Sequence, residues 1–323
     1  MSSSPSGHAG DSNAASADSL EIQLDWVFNA QFAGVLLAQH AGLYKARGLD
    51  VQVTPWQSGM AVTDRVASEP GVVGCAEQNL VLAAQAKGQP LVALAAMFQD
   101  SPLALMTLPD SGIESLDDLA GQPVGVHIDG AQVLDLVIDT HFDASNGPVV
   151  SQIRREDKFE HLLNGDFAAV QCYGVDEPIE FAAQTGIEPR VLSLSDYGHD
   201  AYAQVMFAHR ELLDSRPEAL QALLAAVFEG WRVASAEPKA SARLLVDSFV
   251  DPDGHYHDVE GQTRSLARVL DYVKGDLPME ALGAINPQRW QRTAEQFAAH
   301  GIIPAAPPLA DSLAVGFWPA APS

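Results

Sequence analysis

The sequence has few cysteines and few basic residues, and both shortages exclude classes of protein. Two cysteines, Cys75 and Cys172, cannot build a disulfide framework or a multi-cysteine zinc site. The 18 lysines and arginines face 42 acidic residues, which gives a net charge of −24. Such a charge disfavours nucleic acid or an anionic membrane surface as a partner. No run approaches the roughly 20 apolar residues that cross a bilayer, so we expect no membrane insertion.

The N-terminal stretch MSSSPSGHAGDSNAASADSLE lacks the basic and apolar regions of a secretory signal. Its Ser, Gly and Ala content predicts a disordered tail over residues 1–20. As written, the sequence therefore predicts a cytoplasmic location. A truncated start would leave a periplasmic location open.

The remaining residues have the composition of a globular protein, with 47% hydrophobic and 19% charged side chains in a chain of 323. From Glu21 the chain alternates apolar strands with helical segments, which predicts a parallel sheet covered by helices on both faces. A second alternating unit begins near Leu103, and the chain becomes helical towards its end. We predict an α/β fold of two lobes with a helical C-terminal part. Lobe 1 comprises residues 21–102 and 203–323, and lobe 2 comprises residues 103–202.

Polar and aromatic residues gather at five predicted junctions between a strand and a helix. In a two-lobed α/β protein these junctions face the cleft, where ligands bind. Aromatic residues there would wall a flat ligand, and polar residues would bind its edge. The candidate ligand-binding residues are Trp26, Asn29, Phe32, Glu77, Asp129, Tyr173, Glu177 and Tyr202. The alternatives are a core role for Trp26, a capping role for Asn29 and stabilisation of a helix dipole by Glu177.

Other patterns carry weaker chemical signals. The segment DGHYHD, residues 253–258, is better interpreted as a solvated loop than as a metal site. The two cysteines end predicted strands and are expected to be buried fillers. The dinucleotide-binding, metalloprotease and nucleophile-elbow motifs are missing from the sequence. We therefore predict no catalytic residue and no metal site.

The stretch LDWVFNAQFAGVLLAQHAGLYKARGLDVQV, residues 24–53, resembles the first βαβ unit of the NMT1/THI5-like family. The segments LAAQAKGQPLVALA, SLDDLAGQPVGV and FAHRELLDSRPEAL also look like this family. The resemblance covers about residues 21–240 and implies the type II periplasmic-binding-protein fold. It also implies one of two functions. Some members bind ligands for ABC importers, and others are thiamine pyrimidine synthases that use pyridoxal phosphate, iron and a cysteine-rich motif.

The sequence departs from the synthase pattern. Ala76 and Leu80 stand where the resemblance places the synthase lysine and histidine, and residues 198–202 lack the cysteines. Without an amine no Schiff base forms. We therefore expect a binding protein without a cofactor, and pyridoxal phosphate and iron only if the synthase alternative holds. The expected ligand is a small planar heterocycle: a thiamine-precursor pyrimidine first, a flavin second and a sulfonate third.

The expected mechanism is closure of the two lobes around that ligand. The strands near Phe98–Leu103 and Ala201–Phe207 would form the hinge. An ABC permease is the possible macromolecular partner of such a protein.

Overall fold

The computed structural model describes residues 18–128, 130–143 and 145–319. Within these ranges the strands form two sheets of five strands each. The strands are β1 (Asp18–Gln23), β2 (Leu49–Thr54), β3 (Val72–Ala76), β4 (Leu91–Phe98), β5 (Leu103–Thr107), β6 (Pro123–Val126), β7 (Val149–Gln152), β8 (Ala169–Tyr173), β9 (Arg190–Ser193) and β10 (Ala203–His209).

The helices of the first half connect these strands, and those of the second half follow β10. They are α1 (Ala33–His40), α2 (Val62–Ser68), α3 (Gln78–Ala86), α4 (Ala131–His141), α5 (Lys158–Asn164), α6 (Glu177–Thr185), α7 (Arg210–Ser215), α8 (Pro217–Ala236), α9 (Pro238–Ser248), α10 (Val259–Lys274), α11 (Pro287–Ala299) and α12 (Leu309–Ser312). No helix among the described residues has the length and apolarity to cross a membrane.

Each sheet contains one antiparallel element that the sequence pattern does not predict. The first sheet has the order β2-β1-β3-β10-β4, and β10 runs antiparallel to both of its neighbours. The second has the order β7-β6-β8-β5-β9, and β5 is antiparallel to β8 and β9. The expectation of purely parallel sheets was wrong, because the chain enters and leaves lobe 2 directly along these two strands without a crossover helix.

The lobe boundaries follow from this topology. Strand β4 ends at Phe98 and β5 of the second sheet begins at Leu103, so residues 99–102 form the outward crossing. The return crossing lies between the 3₁₀ turn Leu194–Tyr197 and β10. At the other end of the chain, β1 begins at Asp18, three residues before the expected start. The rest of the predicted tail, residues 1–17, lies outside the described residues.

The C-terminal helices pack mainly on lobe 1. Helices α1 and α8 cross so closely that a Cβ atom on Gly230 would lie 2.0 Å from the carbonyl oxygen of Gly34. The Trp231 indole packs over Gly34 and is fully buried. This contact fixes α8 against the helix that follows Trp26, and so anchors the first wall of the cleft.

Candidate functional site

A cavity of about 660 Å³ lies between the two lobes. It is bounded by the residues that follow the carboxyl ends of β1 and β3 in lobe 1 and of β6 and β8 in lobe 2. Parallel strands end at the same edge of a sheet, so residues distant in sequence meet there. The residues that line the cavity include Asp25, Trp26, Trp56, Asp64, Ala76, Glu77, Leu80, Lys87, Arg155, Glu156, Gln171, Tyr173, Asp176, Glu177, Gln204 and Tyr256.

Two tryptophans form an aromatic wall on the lobe 1 side. The rings of Trp26 and Trp56 stack with centroids 5.5 Å apart and planes 20° from parallel. The Trp56 indole nitrogen donates to the carbonyl oxygen of Met60 at 2.9 Å, which fixes its ring. The guanidinium of Arg155, from lobe 2, lies 4.9 Å from the Trp26 ring centroid. The wall is thus a flat, polarisable surface that contacts the opposite lobe.

Tyr256 links the aromatic wall to lobe 2. The Trp26 indole nitrogen donates to the Tyr256 hydroxyl at 2.9 Å, and this hydroxyl donates to Asp176 Oδ2 at 3.1 Å. Tyr256 belongs to the loop between α9 and α10, which the sequence pattern assigns to solvent. The flanking His255 is indeed 85% exposed, whereas Tyr256 lines the cavity.

Glu77 forms a second contact between the lobes. It precedes α3, and its Oε1 accepts a hydrogen bond from the Tyr173 hydroxyl of lobe 2 at 2.9 Å. Its Oε2 accepts from the Ser101 hydroxyl in the outward crossing at 3.1 Å. Burial raises the pKa of the Tyr173 hydroxyl, and the Glu77 carboxylate acts in the same direction. The phenol therefore stays protonated and remains a donor.

Glu177 organises the junction between β8 and α6. It forms a buried ion pair with Lys158, and its Oε2 accepts from the Tyr173 backbone N–H at 2.6 Å. Because the lysine and the backbone donor already satisfy this carboxylate, it holds Tyr173 in place as well as lining the cavity.

Asp176 and Asp25 are carboxyls whose pKa the fold raises to about 7. For Asp176 burial is the largest cause, followed by repulsion from Glu177, while the Glu177 backbone N–H and Lys158 oppose the rise. For Asp25 burial again dominates, and the amide of Gln204 opposes it by donating to both carboxylate oxygens, each at 3.1 Å. Both groups therefore change charge near neutral pH.

Four of the eight predicted ligand-binding residues line the cavity: Trp26, Glu77, Tyr173 and Glu177. Asp129 lies outside the described residues. The other three differ from the expectation of direct ligand contact, because the structure places each of them behind the cavity wall.

The physical reason is burial. Asn29 caps the 3₁₀ turn Ala30–Phe32 by accepting from the Gln31 backbone N–H at 2.8 Å, which is its alternative role. Phe32 is fully buried in the core of lobe 1. The Tyr202 hydroxyl accepts from the Asn286 backbone N–H at 2.8 Å, and its ring is 2% exposed.

The cavity also has lining residues that were not among the predicted ligand contacts. They include Asp25, Trp56, Gln204 and Tyr256. Asp25 directly precedes Trp26 after the end of β1, and Trp56 follows β2 as Trp26 follows β1, so the junction rule applied more evenly would have found both. Gln204 and Tyr256 reach the cavity from a strand and from a loop between helices, and junction patterns carry no signal for either.

Both thiols lie in the interior of the folded protein. Cys75 and Cys172 are fully buried, and burial raises the pKa of each thiol. Across residues 18–128, 130–143 and 145–319, no group of three or more His, Cys, Asp or Glu side chains is arranged to hold a metal ion. Ala76 and Leu80 both line the cavity, so the synthase positions are occupied by apolar side chains.

Arg289 of α11 joins the two crossings behind the cavity. Its guanidinium donates to the Gln99 carbonyl oxygen, Asp100 Oδ1 and Asp200 Oδ1, each at 2.6 Å. It also lies 4.3 Å from the ring centroid of Tyr202. One side chain thus holds the outward and return crossings together.

Comparisons with known proteins agree with this architecture. Residues 29–241 match the family model described as NMT1/THI5 like. The riboflavin-binding protein RibY of Chloroflexus aurantiacus is 24% identical over 88% of this chain and 81% of its own. The formylaminopyrimidine-binding protein of Halalkalibacterium halodurans is 22% identical over 88% of this chain and 86% of its own.

Among solved structures, the periplasmic aliphatic sulphonate binding protein SsuA from Escherichia coli superimposes with a TM-score of 0.72. The alignment covers 93% of this chain and 98% of SsuA at 17% identity, a likeness that concerns the fold alone. The expected two-lobed, type II periplasmic-binding fold is confirmed.

Proposed function

Because this chain belongs to the NMT1/THI5-like family, we propose that it binds a small planar heterocycle, a thiamine-precursor pyrimidine in the first instance, by closure of its two lobes. The observation that carries the proposal is the Trp26–Trp56 wall beside a set of hydrogen-bond acceptors. A flat ring stacked on the wall would present its edge to these acceptors.

The charge of the cavity favours a ligand with N–H donors over an anion. Among the described residues, its lining contains six carboxylate side chains and two lysine or arginine side chains: Asp25, Asp64, Glu77, Glu156, Asp176 and Glu177 against Lys87 and Arg155. A sulfonate would place its charge beside this acidic excess. An aminopyrimidine has an exocyclic amino group that such acceptors bind.

A flavin is the second candidate, and two observations favour it. The first is the cavity volume of about 660 Å³, which exceeds what a single pyrimidine ring fills. The relative named for riboflavin binding also aligns over most of this chain.

The mechanism of binding follows from the contacts between lobes. Tyr173 with Glu77 and Tyr256 with Asp176 are single hydrogen bonds at the cavity rim, and a ligand that enters must meet or replace them. The crossings held by Arg289 form the hinge about which the lobes would move. In this proposal an ABC permease would receive the ligand, which requires a periplasmic location.

The test is a ligand panel measured by isothermal titration calorimetry and thermal unfolding. We expect 4-amino-5-hydroxymethyl-2-methylpyrimidine to bind, and at one hundred times its Kd to stabilise the protein by about 2.7 kcal/mol. Riboflavin tests the second candidate, and an alkanesulfonate is the control. A panel in which the sulfonate alone stabilises the protein contradicts the proposal.

A second measurement decides between binding and synthesis. Lys87 is the lysine that lines the cavity within the described residues, and it lies at the end of α3, opposite the Ala76 end. Incubation with pyridoxal phosphate and borohydride should leave residues 74–88 unmodified, and addition of iron and oxygen should release no pyrimidine phosphate. A trapped cavity lysine together with pyrimidine formation would establish the synthase alternative.

A further inference from the structure

Gln204 has a strained backbone where the return crossing enters the first sheet. Its φ angle is +47°, and among the described residues it is the one non-glycine residue with a positive φ. A left-handed conformation is strained for a residue with a Cβ atom, because that atom lies too close to the backbone carbonyl oxygen. Strain of this kind persists where the surrounding structure requires a particular side-chain direction.

The neighbouring carboxylate fixes which end of the Gln204 amide faces Asp25. The Gln204 Nε2 lies 3.1 Å from both Asp25 oxygens. An ionised carboxylate only accepts hydrogen bonds, so the NH₂ end must face it. The amide oxygen, Oε1, therefore points the other way.

This oxygen is buried and has no hydrogen-bond partner among the described residues. Gln204 is 1% exposed, yet it lines the cavity. A buried acceptor without a donor is energetically unfavourable. The other acceptors around it differ, because Glu177, Asp176 and Glu77 each already receive a protein donor.

We propose that Gln204 Oε1 and the Asp25 carboxylate together receive the N–H donors of the ligand, and that this pair selects heterocycles with an amino or ring N–H group. The inference rests on the proposed function and specifies its polar subsite. The Asp25 carboxylate accepts from the Gln204 amide and from its own backbone N–H, and its two oxygens retain lone pairs for a further donor. The pKa of Asp25, raised to about 7 by burial, means that a bound donor also favours its charged form.

The test compares ligands that differ in one donor. The first pair is 4-amino-5-hydroxymethyl-2-methylpyrimidine and the same pyrimidine with hydrogen at position 4. The second pair is riboflavin and 3-methylriboflavin. For the pair that binds, we expect the wild-type protein to prefer the donor-bearing ligand by about 10- to 100-fold in Kd, the range of one buried hydrogen bond.

Gln204→Met keeps the volume of the side chain but removes the acceptor, so the preference should fall to near unity. Gln204→Asn is the second variant, because asparagine tolerates the left-handed backbone and is too short to reach the same point. Gln184→Met is the matched control. Gln184 lies on α6 outside the cavity lining and its amide donates to Glu180 Oε1 at 2.9 Å, so the preference should remain.

The outcomes separate the inference from the proposed function. Equal wild-type affinity for both members of a pair overturns the inference and leaves the proposed function standing. A preference that survives in both Gln204 variants also overturns it. A wild-type protein that binds neither pyrimidine nor flavin overturns the proposed function itself, and the inference with it.

Discussion

The two lobes are joined differently at the rim of the cavity and at the crossings behind it. At the rim, the contacts include single hydrogen bonds such as Tyr173 to Glu77, at 2.9 Å. Behind the cavity, one guanidinium with a 17% exposed side chain meets Asp100, Asp200 and a backbone carbonyl from both crossings. Single hydrogen bonds separate one at a time, whereas a shared cation must leave all its partners together.

This difference assigns the two regions different mechanical roles. Each rim contact is an isolated hydrogen bond from a tyrosine hydroxyl to a carboxyl group, and a ligand that supplies an N–H donor can take the place of that hydroxyl. Arg289 instead makes three hydrogen bonds from one charged group, each worth about 1.5 to 3 kcal/mol. The crossings should therefore stay in contact while the rim opens, which is the behaviour of a hinge.

The largest effect is expected from removing the Arg289 guanidinium, which joins the two crossings. Arg289→Ala removes the cation from Asp100 and the Gln99 carbonyl and leaves Asp200 with Arg292 at 3.7 Å, and should lower the free energy of unfolding by about 2 to 4 kcal/mol. Urea denaturation followed by circular dichroism measures the change.

Arg292→Ala is the control, because Arg292 lies on the same helix, is 64% exposed and meets Asp200 at 3.7 Å. It should cost less than about 0.5 kcal/mol. Equal losses in the two variants would show that Arg289 has no special role at the crossings.

A smaller effect is expected at the rim, where Trp26 touches both Tyr256 and Trp56. Trp26→Ala should weaken binding of the heterocycle by about 1 to 3 kcal/mol, because the ring loses its stacking surface. Trp26→Phe keeps an aromatic face and removes the donor to Tyr256, so most of the affinity should return. Calorimetry on both variants measures this, and unchanged binding in Trp26→Ala would place the ligand elsewhere.

A separate effect concerns pH, and it tests the charge state of Asp25 in the cavity. The folded pKa of Asp25 is raised from 3.8 to about 7, so between these values the native state holds a proton that the unfolded state has lost. Its contribution to stability is complete below pH 4 and is lost as pH rises through 7, with a slope of up to about 1.4 kcal/mol per pH unit.

Asp25→Asn should flatten this slope when urea denaturation of the ligand-free protein is repeated between pH 5 and 8. The same substitution at the exposed Asp50 should leave it unchanged. Asp176 and His199 also titrate differently in the folded protein, so the comparison between variants is decisive: an identical pH dependence in the wild-type protein and in Asp25→Asn would contradict the raised pKa of Asp25.

The sequence predicted the architecture, and four of the eight candidate residues line the cavity. The reasons can be identified. Alternating apolar segments predict strands and helices, and the junction rule brings Trp26, Glu77, Tyr173 and Glu177 to one cavity. The same rule cannot distinguish a residue that faces the cavity from one buried behind its wall. It therefore also selected Phe32 and Tyr202, which are buried in the core. Gln204 depends on a backbone angle, and residue patterns do not encode such an angle.

The burial of both cysteines makes the native protein nearly inert towards thiol-specific dyes. Cys75 and Cys172 are 0% exposed and poorly ionised, so alkylating reagents reach neither while the protein stays folded. A cysteine introduced at the exposed Ile128 of lobe 2 and another at Val233 of α8 would then be the sites that react. Fluorophores coupled there would report the separation of the lobes by energy transfer, without any change to the native thiols.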